Sequence, residues 1–130
     1  MKKDTTGAEF VNAHEVLEWT PIAGLPVGAW EKILYVDEDS GTYARLVKLD
    51  KGFENKKGVP LEHAFDEVVF IYSGETTFPK LGHRYGPASL GLFPMGVKHG
   101  PYSAPNGSFA IEFRHYLKSA SGKRSFRTIK

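Results

Sequence analysis

The chain has 130 residues, with 17 Lys and Arg against 15 Asp and Glu, five His and no Cys. A chain of this length sustains one core without disulfides or a structural metal, and the lack of Cys excludes a disulfide framework, a cysteine zinc site and a thiolate nucleophile. An apolar share of 41% with 25% charged residues is that of an ordinary globular protein and excludes a disordered chain.

Met1-Lys2-Lys3-Asp4 has the charge of a signal-peptide start, but Thr5 to Glu9 supplies no apolar stretch to follow it. No apolar run reaches the roughly 20 residues of a membrane-spanning helix, so a cytoplasmic location away from membranes is expected. Ala8 to Trp19 carries Phe10, Val11, His14, Leu17 and Glu18 at helical spacing before Thr20-Pro21, which predicts a short helix, with His14 on the surface. This belongs to an N-terminal segment, 1–28, preceding a domain over 29–117.

In that domain 14 Gly and eight Pro across the whole chain punctuate short alternating runs, an all-β pattern. Trp30–Val36 and Tyr43–Leu49 read as strands joined by the turn-forming Asp37-Glu38-Asp39-Ser40-Gly41. In the second, Tyr43, Arg45, Val47 and Leu49 share one face, and both faces mix polar with apolar residues. Val68–Tyr72 reads as a central strand that turns at Ser73-Gly74 into its neighbour, Glu75–Phe78. A turn follows at Lys80–His83, with His83 and Arg84 at its tip. Ser89–Phe93 is a strand stopped by Pro94, which cannot donate to a ladder. Phe109–His115 is the last strand; Phe109, Ile111 and Phe113 form its apolar face, expected inward, and His115 shares their parity. Such strands predict a small antiparallel β-barrel or jelly roll that closes on itself to hide its edges.

Two segments carry the chemistry. His63 and Glu67 are four apart, on one face of an extended strand with Phe65 between them, and Gly74 follows six residues after Glu67. Downstream, Pro94-Met95-Gly96 places His99 after a tight turn. These resemble the two motifs of the cupin family: His-x-His, three or four residues, Glu, six residues, Gly; then Gly, five residues, Pro-x-Gly, two residues, His. The upstream Gly of the second motif is missing, with Gly86 and Gly91 nearby. The resemblance spans residues 30 to 116 and is nearest in look to ChrR-like cupins and small cupin dioxygenases. It implies a metal held by His63, Glu67 and His99. The first motif histidine is replaced by Leu61. The three remaining residues either hold a divalent ion, as two histidines and a carboxylate do in non-haem iron oxygenases, or form a degenerate site for an organic ligand. Burying a carboxylate and two imidazoles costs several kcal/mol unless a partner neutralises them, which favours the metal.

His115 completes the ligand set if it reaches the cavity; otherwise it is a half-buried histidine satisfied by hydrogen bonds. Leu61, Phe65 and Tyr102 are substrate-pocket candidates, Tyr72, Tyr85 and Tyr102 are alternatives for a phenol at the cavity mouth, and Val69, Ile71 and Phe93 are read as core or cavity wall. Glu62 and Asp66 have the opposite parity to Glu67 and are expected outside.

No phosphate loop, nucleophile elbow or dinucleotide fingerprint is present, and Lys80, Arg84 and Lys98 are too scattered for a nucleic-acid surface. From Lys118 onward there are five basic residues and no acid, leaving twelve basic against fifteen acidic before it. The basicity therefore belongs to a tail, 118–130, whose docking on an anionic surface would be salt-sensitive. The expected function is that of a metal-dependent enzyme on a small molecule, an Fe(II) dioxygenase of a carbonyl or diketone-like compound, with Mn(II), Ni(II) or Zn(II) as other metals the ligands suit. The alternative is a non-catalytic binding or sensor cupin. Open strand edges predict a homodimer.

Overall fold

Strands make up almost all the regular structure in the computed structural model, which describes residues 2–3, 9–56, 66–79, 82–94 and 100–115. The N-terminal segment contributes a two-strand pair, β1 (Lys2–Lys3) with β2 (Glu9–Phe10), and one helical turn, α1 (Ala13–Val16). Asn12 starts that turn by accepting hydrogen bonds from the His14 and Glu15 backbone N–H groups at 3.0 and 3.3 Å, the capping role its short amide favours.

The other strands are β3 (Thr20–Pro21), β4 (Ala29–Val36), β5 (Tyr43–Leu49), β6 (Phe53–Asn55), β7 (Asp66–Gly74), β8 (Thr76–Phe78), β9 (His83–Tyr85), β10 (Ser89–Phe93), β11 (Tyr102–Ala104) and β12 (Ser108–His115). They form two antiparallel sheets, of order β10-β7-β12-β5-β4-β3 and β6-β11-β8-β9. The class is all-β, a jelly-roll arrangement of two sheets. The sheets are not closed into a continuous barrel: among the described strands β10 and β3 remain edges of the larger sheet.

An apolar cluster joins the sheets at one end. Ala29, Val47 and Leu49 of the large sheet bury against Phe53 and Ala104 of the small one, with Ile22 closing the side. Thr76 also donates to Ser108 across the interior at 3.4 Å. Because side chains alternate along a strand, this fixes the inner face of the large sheet: Ala29 and Glu31; Tyr43, Arg45, Val47 and Leu49; Glu67, Val69 and Ile71; Ser108, Ala110, Glu112 and Arg114.

Three expectations change. Phe109, Ile111 and Phe113 lie on the outer face; Trp19 of the N-terminal segment packs on Phe109 with ring centroids 6.1 Å apart, and Tyr72 meets Phe109 at 6.0 Å, also outside the cavity mouth. His115 ends β12 opposite Asp66, which is outward as expected yet buried; the expectation for the His115 side chain lies outside what is described. Ser73-Gly74 is a crossing between sheets rather than a hairpin, since β7 pairs with β10 and β12 while β8 joins β9 and β11. Gly74 makes the crossing with φ +73, and a Cβ there would run into the Gly107 carbonyl. Finally, His83 and Arg84 are in a strand, paired with Phe78 and Thr77, not at a turn tip. The short strands β6 and β11 were not predicted.

Candidate functional site

At the other end of the interior the alternation brings charged side chains together. Arg45 donates from Nε to Glu112 Oε2 at 2.8 Å, its Nη2 pairs with the same oxygen at 2.7 Å, and its Nη1 reaches Glu31 Oε2. One register step away, where Arg114 faces Glu67 across the β12–β7 ladder, Arg114 Nε donates to Glu67 Oε2 at 3.1 Å. The Arg114 guanidinium also lies 4.8 Å from the centre of the Tyr43 ring. Glu67 is buried, with 5% of its side chain exposed. Burial raises its pKa to about 7, Glu112 pushes the same way, and the two arginines oppose them. For Arg45, burial works against the charge, but Glu112 and Glu31 outweigh it and raise its pKa.

On the facing sheet, Tyr102 belongs to β11 and its phenol feels the charges of Glu112, Arg45 and Glu67. Its ring packs on Phe53 and Phe78 at 5.9 and 6.0 Å, Phe78 meets Phe93 at 6.3 Å, and the buried Asn55 side chain hydrogen-bonds the phenol. Burial pushes that phenol up to about 12, so it keeps its proton at neutral pH. The site is thus an aromatic wall facing a layer of paired charges.

No protein-family model and no curated protein matches this sequence. Solved structures do match over nearly the whole chain. An RmlC-like cupin from Shewanella frigidimarina superposes with a TM-score of 0.65 at 21% identity, covering 85% of this chain and 94% of that one. The fold is that of the cupins. KdgF from Halomonas sp. gives 0.65 at 20% identity over 88% and 98% of the two chains. An acetylacetone dioxygenase from Acinetobacter johnsonii gives 0.65 at 18% identity over 97% and 88%.

On the cupin fold, the motif residues within the described structure are Glu67, Gly74 and Pro94. Leu61, His63, Phe65 and His99 lie outside the described residues. Among the described residues no three ligand-type side chains converge. The upstream position of the second motif, six residues before Pro94, is Ala88, which holds φ +67. The left-handed turn that favours glycine is kept with an alanine in it, at a cost of about 1–2 kcal/mol. Arg45, Glu112, Arg114 and Asn55 were not singled out from the sequence. The signal available was a charged residue at the same parity as Val47 and Leu49, or as Ala110, in otherwise apolar strands.

The Glu67 carboxyl gives a pH prediction for the metal-free protein. In the unfolded chain it ionises near the usual 4.5, in the folded one near 7. Between those values the folded state holds the extra proton, so Glu67's contribution to stability falls as pH rises through this window and is level above it. Thermal unfolding of metal-free protein should therefore show a loss of stability from pH 4.5 to 7 that Glu67→Gln removes; identical slopes in the two proteins would contradict this.

Proposed function

We propose that this chain is a metal-dependent cupin enzyme acting on a small carbonyl compound, with His63, Glu67 and His99 as metal ligands and Fe(II) as the metal for a dioxygenase reaction. The observation that carries the reading is Glu67, a carboxylate buried inside the fold beside a second carboxylate. The described interior has Glu31, Glu67 and Glu112 against Arg45 and Arg114, one more acid than base. A cation beside Glu67 suits this charge, so the donor chemistry fits the ion the fold implies. Histidine and carboxylate ligands also suit Mn(II), Ni(II) and Zn(II). The acetylacetone dioxygenase neighbour supports the choice of reaction.

A bound ion would supply Lewis acidity and a place for dioxygen. The chain's own residues do the rest. Tyr102, protonated and held by Asn55, donates a hydrogen bond to a substrate oxygen. Phe53, Phe78 and Phe93 form a wall that excludes water. Arg45 and Arg114 keep the carboxylates in place. The test is dioxygen uptake by Fe(II)-loaded protein given small 1,3-diketones: consumption matched to diketone loss, abolished in Glu67→Gln, is expected, and no uptake above the variant overturns the reaction.

A second reading rests on a different contact. Arg114 already donates to Glu67 at 3.1 Å, which supports a metal-free binding cupin in which a guanidinium stands where the ion would. Its mark would be a small polar ligand that raises the melting temperature in the presence of chelator, without turnover.

A further inference from the structure

We infer that a cleft at the end of the large sheet remote from Glu67 is a second ligand site, one that takes a small anion bearing a phosphate group. The cleft has a volume of about 230 Å³ and lies where three chain segments meet: the end of β5 with Asp50 and Lys51, the Ser73-Gly74 crossing, and the turn from Asn106 into β12. It is separate from the charged interior. Glu67 and Gly74 are seven residues apart on β7, which at about 3.3 Å per residue puts roughly 20 Å between them. Leu49, which lines the cleft, belongs to the apolar cluster at this end of the fold.

Glycine brings bare backbone to the cleft. Gly74 and Gly107 hold φ +73 and +77, and a Cβ on Gly107 would lie 3.2 Å from the Leu49 carbonyl oxygen and 3.4 Å from the Lys51 nitrogen. Without side chains at these positions a ligand can approach the main chain closely.

The charge of the lining favours an anion. Lys48 and Lys51 stand against a single acid, Asp50, and that acid is engaged elsewhere: its Oδ2 accepts the Trp30 indole N–H at 3.0 Å. Lys48 Nζ lies 4.8 Å from the centre of the Trp19 ring and 5.3 Å from that of Trp30. Two indole faces fix an ammonium in place without neutralising it. Among the described residues no carboxylate pairs with either lysine.

The other donors favour phosphate over carboxylate. Ser73 adds a hydroxyl and Asn106 an amide. The backbone N–H groups of Lys51 and Asn106 donate to no acceptor among the described residues, and unpaired turn N–H groups beside cations make an anion-binding concavity. A carboxylate brings two oxygens in one plane; a phosphate monoester brings three terminal acceptor oxygens and a charge of about −1.5 to −2 at neutral pH. The cleft holds about eight water molecules at roughly 30 Å³ each, which is room for a phosphate on a short organic stem.

Nuclear magnetic resonance of the nitrogen-15-labelled full chain at constant ionic strength tests this. Inorganic phosphate should shift the amide signals of Lys51, Gly74 and Gly107 saturably and leave those of Glu67 and Val68 in place. Glycerol phosphate should act on the same signals; tighter binding than inorganic phosphate makes the ligand a phosphomonoester, and weaker binding makes it the free ion. Acetate should bind at least about tenfold more weakly. Lys51→Gln and Asn106→Asp, both at exposed turn positions, should each weaken phosphate binding at least about tenfold with an unchanged circular dichroism spectrum. Lys56→Gln removes the same charge from a lysine outside the cleft whose side chain is 85% exposed, and should leave the affinity unchanged. No saturable shift, shifts centred on Glu67, acetate as tight as phosphate, or equal losses in Lys51→Gln and Lys56→Gln would each overturn the inference.

Discussion

Replacing Arg45 with Met is expected to lower the free energy of unfolding by about 3–5 kcal/mol, the usual cost of removing one partner from a buried ion pair. The guanidinium is 9% exposed and is the shared partner of Glu31 and Glu112, whose side chains are 21% and 12% exposed. Without it, Glu112 faces Glu67 in a cavity too dry to hydrate either, and Arg114 is left to offset both. Small domains are stable by only about 5–15 kcal/mol, so the variant should unfold at much lower urea concentration. The loss belongs to charge left unpaired, not to volume. A triple variant, Glu31→Leu, Arg45→Met, Glu112→Leu, should therefore recover most of it. A single variant with wild-type stability, or a triple variant no better than the single one, would show that the triad does not carry the polar end of the fold.

The second large effect is at Glu67. Glu67→Gln keeps the shape and removes the charge, so metal affinity should fall by more than the 10- to 100-fold, in order of magnitude, that follows loss of an outer partner. The same substitution should stabilise the metal-free protein above pH 7, because it removes a carboxylate whose ionisation is disfavoured by burial and by Glu112. Opposite signs for stability and metal binding distinguish a ligand from a structural acid. Arg114→Gln separates the two readings of the site: it should tighten metal binding if the guanidinium competes with the ion for Glu67, and should abolish ligand binding if the guanidinium takes the ion's place.

Several elements were legible in the sequence because local chemistry and tertiary environment agree. Tyr43–Leu49 and Ser89–Phe93 have the predicted bounds, since Gly and Pro end them and the apolar runs are short. Glu67, Val69 and Ile71 do face inward together. In Phe109–His115 the period of two was right and the side was wrong. Hydrophobic alternation marks the apolar face of a strand, and here the outer face is apolar as well, with Phe109 packed by Trp19 and Tyr72. The inner face carries Ser108, Ala110, Glu112 and Arg114, whose charges are paired rather than hydrated, so it reads as a solvent face in sequence. Ser73-Gly74 misled for a related reason: a positive φ at glycine suits a hairpin and a sheet crossing equally, and the choice is set by close packing against Gly107, in the turn before β12. Phe53–Asn55 and Tyr102–Ala104 are too short to show a period, yet they pair Asn55 with Tyr102 and bury both. The motif spacing singled out Glu67, which the fold buries, but nothing local in it indicates that Arg114, 47 residues away, would be its partner.

If Glu67 and the two motif histidines are metal ligands, the charged end of the fold takes up a divalent ion. Equilibrium dialysis of the purified chain against Fe(II), Mn(II), Ni(II) and Zn(II), with bound metal measured by elemental analysis, tests it directly. About one ion per chain is expected for at least one of the four metals, with binding lost in Glu67→Gln and in His99→Ala. Wild-type protein that retains no more metal than either variant would contradict it.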